Sequence, residues 1–484
     1  MVRPMQQDGR TVTWRKRLHP DWSSRNFDLV FAARVTMSTG RALAGVVTPI
    51  YLALQGFSAF ELAEYVMVVA LASALMSSGI GLLSDQVGRR PFLVVIPLLT
   101  AGAGIVFAFT DSIPVLFVMG ALGSFGRGAG AGAGAVGPYQ PAESAFVTEE
   151  VASRHRNAAF GRLAFGSSLG ATAGGLLALL VHAAHVHGVA AMDAYRPVFL
   201  AIGVVSAVAG LLALGLREPP RETAEPVEAL VAPDPGVAEA DGASGSSRRF
   251  AVRLPRRSRW LLYRLWVTNT VNGIAVGMFG PFVTYWFYRR FGAGPDEVGV
   301  LFAVINLATM ASTLSAAGLA RRWGLVRTIT VVRTAQAVLL VPMVLSPSFV
   351  LAGAIYLVRM TVQRIGLPLR QSYAIALADP AERASVAALS NLPSQLAMAG
   401  SPLLSGYLIE EVSLATPFEI SAFFQLANAV SFWWFFHRLP PEEERRASAR
   451  SEPQEAVEGR AVPEAARAEA PPGGGGSSPP TSGP

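Results

Sequence analysis

Apolar residues gather along this chain in long runs that are separated by short polar or turn-forming segments. A helix of about 20 apolar residues is long enough to cross the hydrocarbon core of a bilayer. Twelve such runs are present: residues 28–54, 60–83, 92–110, 113–137, 158–182, 195–216, 260–287, 297–320, 328–346, 349–369, 384–409 and 417–437. The pattern predicts an all-α membrane protein with twelve transmembrane helices.

The second six runs repeat features of the first six. Pro49 in the first run corresponds to Pro281 in the seventh, and the short loop 81–90 corresponds to 317–326. A glycine-rich turn of the fifth run also returns in the eleventh. Because all these correspondences lie between 231 and 236 residues apart, the sequence predicts two pseudo-symmetric six-helix bundles. Such duplication is typical of transporters, whose substrate site lies between the two halves near the middle of the membrane.

Basic residues lie mainly on one side of the predicted membrane. Of the 40 lysines and arginines, 30 fall in the two tails, the central linker and alternate loops, if Arg162 at the start of the fifth run is counted with the loop before it. Only Arg196, Arg289 and Arg290 fall in loops on the other side. Positively charged loops remain in the cytoplasm, so we expect both termini to be cytoplasmic. Arginine replaces lysine everywhere except at Lys16, which suggests a bacterial genome and hence a bacterial inner membrane.

Composition divides the chain into five segments. A polar N-terminal tail (1–27) precedes the first six-helix bundle (28–216). The second bundle (259–437) follows a linker (217–258) rich in proline, alanine, glutamate and serine, and a tail (438–484) ends the chain. Segments with the composition of this linker and this tail bury too little apolar surface to form a core. We therefore expect the linker and both tails to be flexible and cytoplasmic.

The composition also excludes several kinds of chemistry. The chain has no cysteine, and a single lysine leaves no Gly-Lys-Ser/Thr nucleotide loop. A membrane-embedded enzyme would need acid, histidine or serine groups that converge, and no such cluster is visible. His182, His185 and His187 lie together at the end of the fifth run, where a solvated loop is the simpler explanation than a metal site. We expect no enzymatic activity, cofactor, metal site or nucleic-acid partner.

The loop after the second run carries a specific motif. Residues 81–90 read GLLSDQVGRR. This resembles the loop 2–3 motif of the major facilitator superfamily, G-x-x-x-D-[RK]-x-G-R-[RK], with Gln86 in place of the usual cation. The resemblance covers both halves, about residues 28–437, and implies the twelve-helix fold of that family and a transport function.

The same resemblance implies a conformational latch at this loop. Asp85 and Arg89 would hold the outward-facing state, because charge pairs between domains can form in one conformation and break in another. Glu143, just past the fourth run, is the predicted partner of Arg89. The predicted latch residues are Gly81, Asp85, Gly88, Arg89, Arg90 and Glu143. The alternative is that the arginines only anchor the loop at the membrane surface.

A second motif lies in the fifth run. Its glycines resemble the span 5 motif of exporters in the same superfamily, with Ala171 where proline is usual, and the corresponding frame of the eleventh run keeps a proline. Glycines also permit tight packing between helices, so helix packing alone is the alternative explanation. The residues of this predicted packing motif are Gly166, Gly170, Gly174, Gly175 and Pro402.

Seven arginines fall inside predicted spans, where a charge requires a partner or a cavity. Arg34, Arg264 and Arg333 lie near the cytoplasmic ends, where a long side chain reaches the interface, so we expect these three to be exposed there. The others lie deeper. With nearby amides they form the candidate substrate-binding set: Arg41, Arg127, Arg359, Arg364, Gln363, Asn269 and Asn272. No carboxylate is visible at mid-membrane depth, and an arginine-lined cavity favours an anionic substrate.

The sequence therefore predicts a secondary active transporter that moves a small solute across the plasma membrane by alternating access, in the direction of efflux. An organic-anion exchanger with an arginine-lined cavity and a non-transporting, transporter-like sensor remain as alternatives. The expected partners are a small-molecule substrate, the lipid bilayer and a coupling proton or counter-anion. We expect the protein to work as a monomer, because a duplicated bundle contains both halves of the site.

Overall fold

A computed structural model describes residues 22–125, 137–218, 258–312, 323–377, 386 and 389–439. Within these ranges the backbone is helical apart from short turns, and it contains no strand. The first half comprises α1 (Arg25–Leu54), α2 (Ala59–Val87), α3 (Arg90–Phe109), α4 (Ile113–Gly123), α5 (Tyr139–Glu150), α6 (Arg156–Leu177), α7 (Leu179–Val186) and α8 (Arg196–Leu214). The second half comprises α9 (Arg259–Phe279), α10 (Val283–Phe291), α11 (Pro295–Ser312), α12 (Leu325–Val344), α13 (Phe349–Leu377), α14 (Leu392–Glu411) and α15 (Thr416–Phe436).

Among the described residues, three of the predicted spans are each divided between two helices. The fifth consists of α6 and α7, and the seventh consists of α9 and α10 with a 3-10 turn between them at Gly280–Phe282. In the fourth, α4 ends at Gly123 and Ser124 adopts a left-handed φ of 54°. Helix α5 then extends to Glu150, well past the predicted end at residue 137. The fourth span is therefore longer than predicted, and Glu143 lies inside its second helix.

In the part of the chain that the structure describes, six helical stretches are long and apolar enough by composition alone to cross a membrane: Ala59–Gly81, Arg90–Phe109, Ala158–Val186, Asp193–Leu214, Leu325–Val344 and Phe349–Gly366. Other long helices carry buried polar residues that lower their hydropathy. Helix α1, for example, buries Arg34, Ser38 and Thr39, and α9 buries Thr268 and Asn269. The runs with a weaker hydrophobic signal thus bury polar side chains inside the bundles.

The two halves pack their helices in the same order. In the first half, α1 packs against α6 and α8, and α3 packs against α8. In the second half, the equivalent helices make the equivalent pairs: α9 packs against α14 and α15, and α12 packs against α15. The predicted pair of pseudo-symmetric bundles is confirmed. All these helices belong to one compact unit that ends at Arg438.

The halves meet through two symmetric helix pairs, α6 with α11 and α2 with α14. We use "inner end" for the end of the bundles that carries the turns at Gly88 and Gly324. The "outer end" is the opposite one, with the turns at Gly56 and Gly292. All four glycines have positive φ angles, between 69° and 107°, which side chains other than glycine rarely tolerate.

Close helix approaches rest on glycines, but in different spans of the two halves. In the first half they lie on α6, where a β-carbon at Gly170 or Gly174 would overlap the backbone oxygen of Val35 or Thr39 on α1. In the second half the partners are reversed: Gly273 and Gly277 of α9 approach α14. The proline predicted to mark α14, Pro402, lies buried within that helix.

Candidate functional site

A polar cavity of about 300 Å³ lies in the second half, towards its inner end. Its walls come from α9, α12, α13 and α14. The polar residues that line it are Asn272, Arg333, Gln336, Gln363, Arg370, Asn391, Ser394 and Gln395. Among the described lining residues, no side chain carries a carboxylate. The cavity is therefore positively charged and rich in amides.

Arg333 supplies one of the two charges. It lies on α12 and is only 8% exposed. Its guanidinium lies 4.7 Å from the ring centre of Phe432, and both of its terminal nitrogens have no hydrogen-bond partner among the described residues. Arg370 of α13 supplies the second charge, and its positive charge acts on that of Arg333.

Amide side chains surround this pair of charges. Asn272 of α9, Gln363 of α13 and Gln395 of α14 contribute three of them. The side-chain oxygen of Gln363 is buried and has no hydrogen-bond partner in the described part of the chain. Amides both donate and accept hydrogen bonds, so the lining can bind a hydrogen-bonding solute from several directions.

The structure brings together only two of the seven predicted substrate-binding residues, Asn272 and Gln363. Asn269 instead donates a hydrogen bond of 2.7 Å to the backbone oxygen of Ser390, which joins α9 to the segment before α14. Arg364 lies on α13 and is partly buried, outside the cavity lining. Arg127 lies outside the described residues.

Arg359, also predicted as a substrate ligand, packs within the second bundle. It is 1% exposed and lies 4.2 Å from the ring centre of Phe279. Its guanidinium donates to the side-chain oxygen of Gln425 at 3.0 Å and to the backbone oxygen of Gln336 at 3.3 Å. These contacts join α13 to α9, α12 and α15, so the visible role of Arg359 is helix packing.

Arg41 lies next to the break in the fourth span. A β-carbon at Gly137 would lie 3.1 Å from both terminal nitrogens of the Arg41 guanidinium. Gly137 has a φ of 58° and lies two residues before the start of the second helix of that span. Arg41 is therefore next to the fourth span, as expected for an arginine that lines a cavity. It belongs to α1 of the first half, however, whereas the polar cavity is lined by helices of the second half.

The prediction that Arg34 and Arg333 extend to the membrane interface is wrong. Arg34 is 6% exposed and forms an ion pair with Glu143. It also donates a hydrogen bond of 2.5 Å to the hydroxyl of Ser167. The arginine thereby links α1, α5 and α6 inside the first bundle, because a buried carboxylate compensates its charge more directly than the interface does.

Arg89 has a different acidic partner here from the one predicted for the latch of the outward-facing state. Arg89 pairs with Glu149, on the exposed side of α5, while Glu143 is occupied by Arg34. Three further contacts hold the loop within the first half. Gly88 donates to the Ser84 oxygen at 3.1 Å, the Arg89 amide donates to Glu218 at 2.6 Å, and Arg90 donates to the Leu214 oxygen at 2.7 Å. The side chain of Asp85 is outside the described residues, and Gly81 has open space around it.

Sequence reasoning did not single out Arg370 or Gln336, and it assigned Arg333 to the interface. The available signal was periodicity. Arg333 and Gln336 lie three residues apart, and Gln363 and Arg370 lie seven apart, which places each pair on one helix face. The predicted tenth run ends at 369 and leaves Arg370 outside it, whereas α13 continues to Leu377.

These features define a class: a helical membrane protein of two equivalent bundles with a polar cavity inside the membrane-spanning region. The chain belongs to the Major Facilitator Superfamily, whose family model matches residues 30–269 and 265–469. Membership in this family makes it a multi-pass membrane transport protein and not an enzyme.

Known proteins are similar in fold and distant in sequence. An uncharacterised membrane protein of Saccharomyces cerevisiae is 20% identical over 403 residues, which cover 80% of this chain and 88% of the yeast protein. A bacterial homologue of the human lysosomal transporter Spinster, in an inward-facing and unoccupied conformation, aligns with a TM-score of 0.58 at 15% identity, covering 85% of this chain and 95% of that one. A nucleoside transporter aligns with a TM-score of 0.62 at 13% identity, covering 84% and 100%.

Proposed function

We propose that this protein is a secondary active transporter that exports a small solute by alternating access. The two bundles, residues 28–216 and 259–437, are the moving bodies, and the linker 217–258 joins them. In this proposal the inner end faces the cytoplasm of a bacterial cell, as the distribution of arginines favours. The observation that carries the proposal is a set of contacts between the halves at the outer end.

Backbone contact between glycines forms the first part of this outer closure. A β-carbon at Gly175 would lie 2.5 Å from the backbone oxygen of Gly299, and one at Gly299 would overlap the oxygen of Gly175. The symmetric pair of helices repeats the arrangement, since a β-carbon at Gly406 would lie 2.7 Å from the backbone oxygen of Ala59. Helices that approach this closely leave no space for a solute between them.

Two polar contacts cross between the halves at the same end. The side chain of Glu410, at the end of α14, accepts a hydrogen bond of 2.7 Å from the backbone amide of Phe60, in the first turn of α2. The His182 ring nitrogen lies 3.1 Å from a carboxylate oxygen of Asp296. A carboxylate at a helix N-terminus satisfies an otherwise unpaired amide. These contacts support a state closed at the outer end, like the inward-facing state of the Spinster homologue.

Cross-linking of the outer end tests alternating access. The chain has no native cysteine, so the double variant His182→Cys/Asp296→Cys provides a clean pair for a short bifunctional thiosulfonate. We expect cross-linking in the outer-closed state, and loss of transport that a reducing agent restores. Each single variant is the control, because it carries one thiol and forms no link. Full transport by the cross-linked protein would contradict alternating access.

Everted membrane vesicles test the direction. Three labelled probes of different charge, benzoate, citrate and tetraphenylphosphonium, are offered to energised vesicles that contain the protein. Export predicts accumulation of at least one probe in everted vesicles, with the cross-linked double variant as the inactive control. Accumulation only in right-side-out vesicles would reverse the direction. Ligand binding without flux in either orientation would favour the sensor.

Coupling completes the proposal. Within the described residues, Glu143 is a buried carboxylate, but it is committed to Arg34. A counter-anion therefore suits the visible chemistry better than a proton, and a gradient-dependence assay in proteoliposomes separates the two. We expect an anion inside the proteoliposomes to accelerate uptake. A proton uncoupler should leave this acceleration unchanged.

A further inference from the structure

We propose that the polar cavity of the second half binds the carboxylate or phosphate group of a small anion. Arg333 and Arg370 hold the charge, and the amides of Asn272, Gln363 and Gln395 bind the remaining polar groups of the same molecule. Identifying this anion with the transported solute rests on the proposed function, whereas the binding site itself does not.

The chain treats its other buried arginines differently, and that contrast is the main argument. Arg34 has the carboxylate of Glu143 and the hydroxyl of Ser167. Arg359 has the oxygens of Gln425 and Gln336 and the ring of Phe279. In these cases the protein satisfies the guanidinium with its own groups, so the arginine serves the fold.

Arg333 also lies against an aromatic ring, that of Phe432, but no described residue satisfies its guanidinium with a hydrogen bond. Its two terminal nitrogens are buried and without a hydrogen-bond partner, and the nearby charge of Arg370 is of the same sign. A buried and unpaired charge is costly. Two arginines that share a cavity lower this cost when an anion enters, because planar guanidinium groups bind carboxylate or phosphate through paired hydrogen bonds.

The shape and the remaining lining fit a small solute. A cavity of about 300 Å³ is at the lower end of the range for small-molecule sites. The unpartnered oxygen of Gln363 can accept a hydrogen bond from a bound solute, and Asn272 and Gln395 offer both donors and acceptors. An anion that also carries hydroxyl or amine groups would satisfy these amides better than a simple hydrophobic carboxylate.

Thermal unfolding of the purified full-length protein tests binding. A ligand that binds the folded state raises the unfolding temperature Tm with concentration. We expect inorganic phosphate or citrate to raise Tm at constant ionic strength, with no effect from sorbitol or tetraphenylphosphonium. The variant Arg333→Gln should weaken binding about tenfold or more, the loss expected for one charge-assisted hydrogen bond.

The matched control is Arg327→Gln. It removes the same charge from the same helix at an exposed position outside the cavity lining, so it should keep the anion-dependent shift. Without anion, Arg333→Gln should unfold at or above the wild-type Tm, because it removes an unpaired buried charge. A Tm at or above the wild-type value would show that Arg333→Gln has lost the anion site and has kept the fold. If Arg333→Gln does not fold, Arg370→Gln provides the second measurement.

The same chemistry has two sources, a soluble anion or a lipid headgroup, and nanodiscs distinguish them. A phosphate or citrate shift that persists in pure phosphatidylcholine identifies a soluble anion. An Arg333-dependent shift produced only by added phosphatidylglycerol identifies a lipid phosphate. In both cases the cavity binds an anion. Equal responses of Arg333→Gln and Arg327→Gln, or no response to any anion, would overturn the proposal.

Counterflow of labelled phosphate and citrate in proteoliposomes separates this inference from the proposed function. If anion binding depends on Arg333 but no probe is transported, the anion site is supported and the proposed transport function is contradicted. If a neutral or cationic probe is transported but no anion binds, the proposed transport function is supported and the anion site is contradicted.

Discussion

Helix α5 carries two glutamates that each form an ion pair with an arginine, and the two pairs differ in how far they are buried. Glu143 is 1% exposed and pairs with Arg34. On the same helix α5, Glu149 pairs with Arg89, and 39% of its side chain is exposed. A buried pair is sensitive to loss of one partner, whereas an exposed pair contributes about 0–1 kcal/mol.

The first prediction compares these two glutamates. Glu143→Gln leaves the buried charge of Arg34 uncompensated and should lower the free energy of unfolding by about 3 kcal/mol. Glu149→Gln, the matched control, should change it by less than about 1 kcal/mol. Thermal unfolding in detergent measures both. Equal effects would show that burial of the pair does not matter.

A double variant follows from the same reasoning. Arg34→Met/Glu143→Leu removes both charges and fills the space with apolar atoms, so it should recover most of the stability that Glu143→Gln loses. A double variant less stable than either single variant would mean that Ser167 and the rest of the site require the arginine.

At this scale the sequence predicted several of the arginines that lie within the bundles, but it missed Arg370 and did not predict what each arginine touches. Arg333 and Arg359 have similar sequence surroundings, yet one lines the cavity and the other is bound by Gln425 and Gln336. The distinction depends on which face of α12 and α13 meets which neighbour, and this is a property of packing that a single sequence does not encode.

Helix pairs are held close by glycines whose positions the sequence predicted better than their partners. The glycines of α6 were expected to pack helices, and Gly166, Gly170 and Gly174 all face α1. In the second half, the close contact is made by Gly273 and Gly277 of α9, and α14 provides the surface against which these glycines pack. The same two helices thus pack closely in both halves. The glycines lie on the later helix of the pair, α6, in the first half and on the earlier helix, α9, in the second.

The second prediction concerns this contact. Gly174→Ala would place a β-carbon against the backbone oxygen of Thr39, and backbone cannot move aside as a side chain can. Overpacking of this kind typically costs about 1–3 kcal/mol. Gly161→Ala on the same helix, where no atom lies within 4 Å of the added carbon, should leave the unfolding temperature unchanged or slightly raised. A stable Gly174→Ala variant would show that α1 and α6 can separate at low cost.

Element boundaries were least predictable where a helix breaks inside the membrane. Apolar composition marks 113–137 as one run, but the left-handed residue Ser124 ends α4 and α5 continues to Glu150. A hydrophobic run contains no information about such a break, because glycine and alanine suit both sides of it.

For the whole molecule, the positions of the two bundles depend on few atoms at the outer end. The added β-carbon of Gly299→Ala would meet the Gly175 oxygen and lie 2.6 Å from the β-carbon of Ala178. Overlap that costs about 1–3 kcal/mol changes a two-state equilibrium by about 5- to 150-fold. The third prediction is that Gly299→Ala reduces cross-linking of the His182→Cys/Asp296→Cys pair.

The control for this measurement is Gly400→Ala on α14, an exposed glycine with open space around it. It should leave the cross-linked fraction unchanged. If Gly299→Ala also leaves it unchanged, the outer closure does not depend on the glycine contact.

Orientation in the membrane is predicted from charge alone. Thirty basic residues on one side against three on the other predict a cytoplasmic C-terminus. A fluorescent protein fused after Pro484 should therefore fluoresce, and alkaline phosphatase at the same place should be inactive. The reciprocal control is a fusion after Gly292, at the outer end, where the phosphatase should be active.

The contact of Gly175 with Gly299 also limits how this protein can evolve. Most packed pairs tolerate exchange, because a larger residue on one helix can be matched by a smaller one on the other. Here both partners already lack a side chain and each faces the other's backbone, so neither can shrink to make room. A mutation at either position has no compensating change at the other. These two glycines should therefore be lost only together with the closed arrangement that they permit.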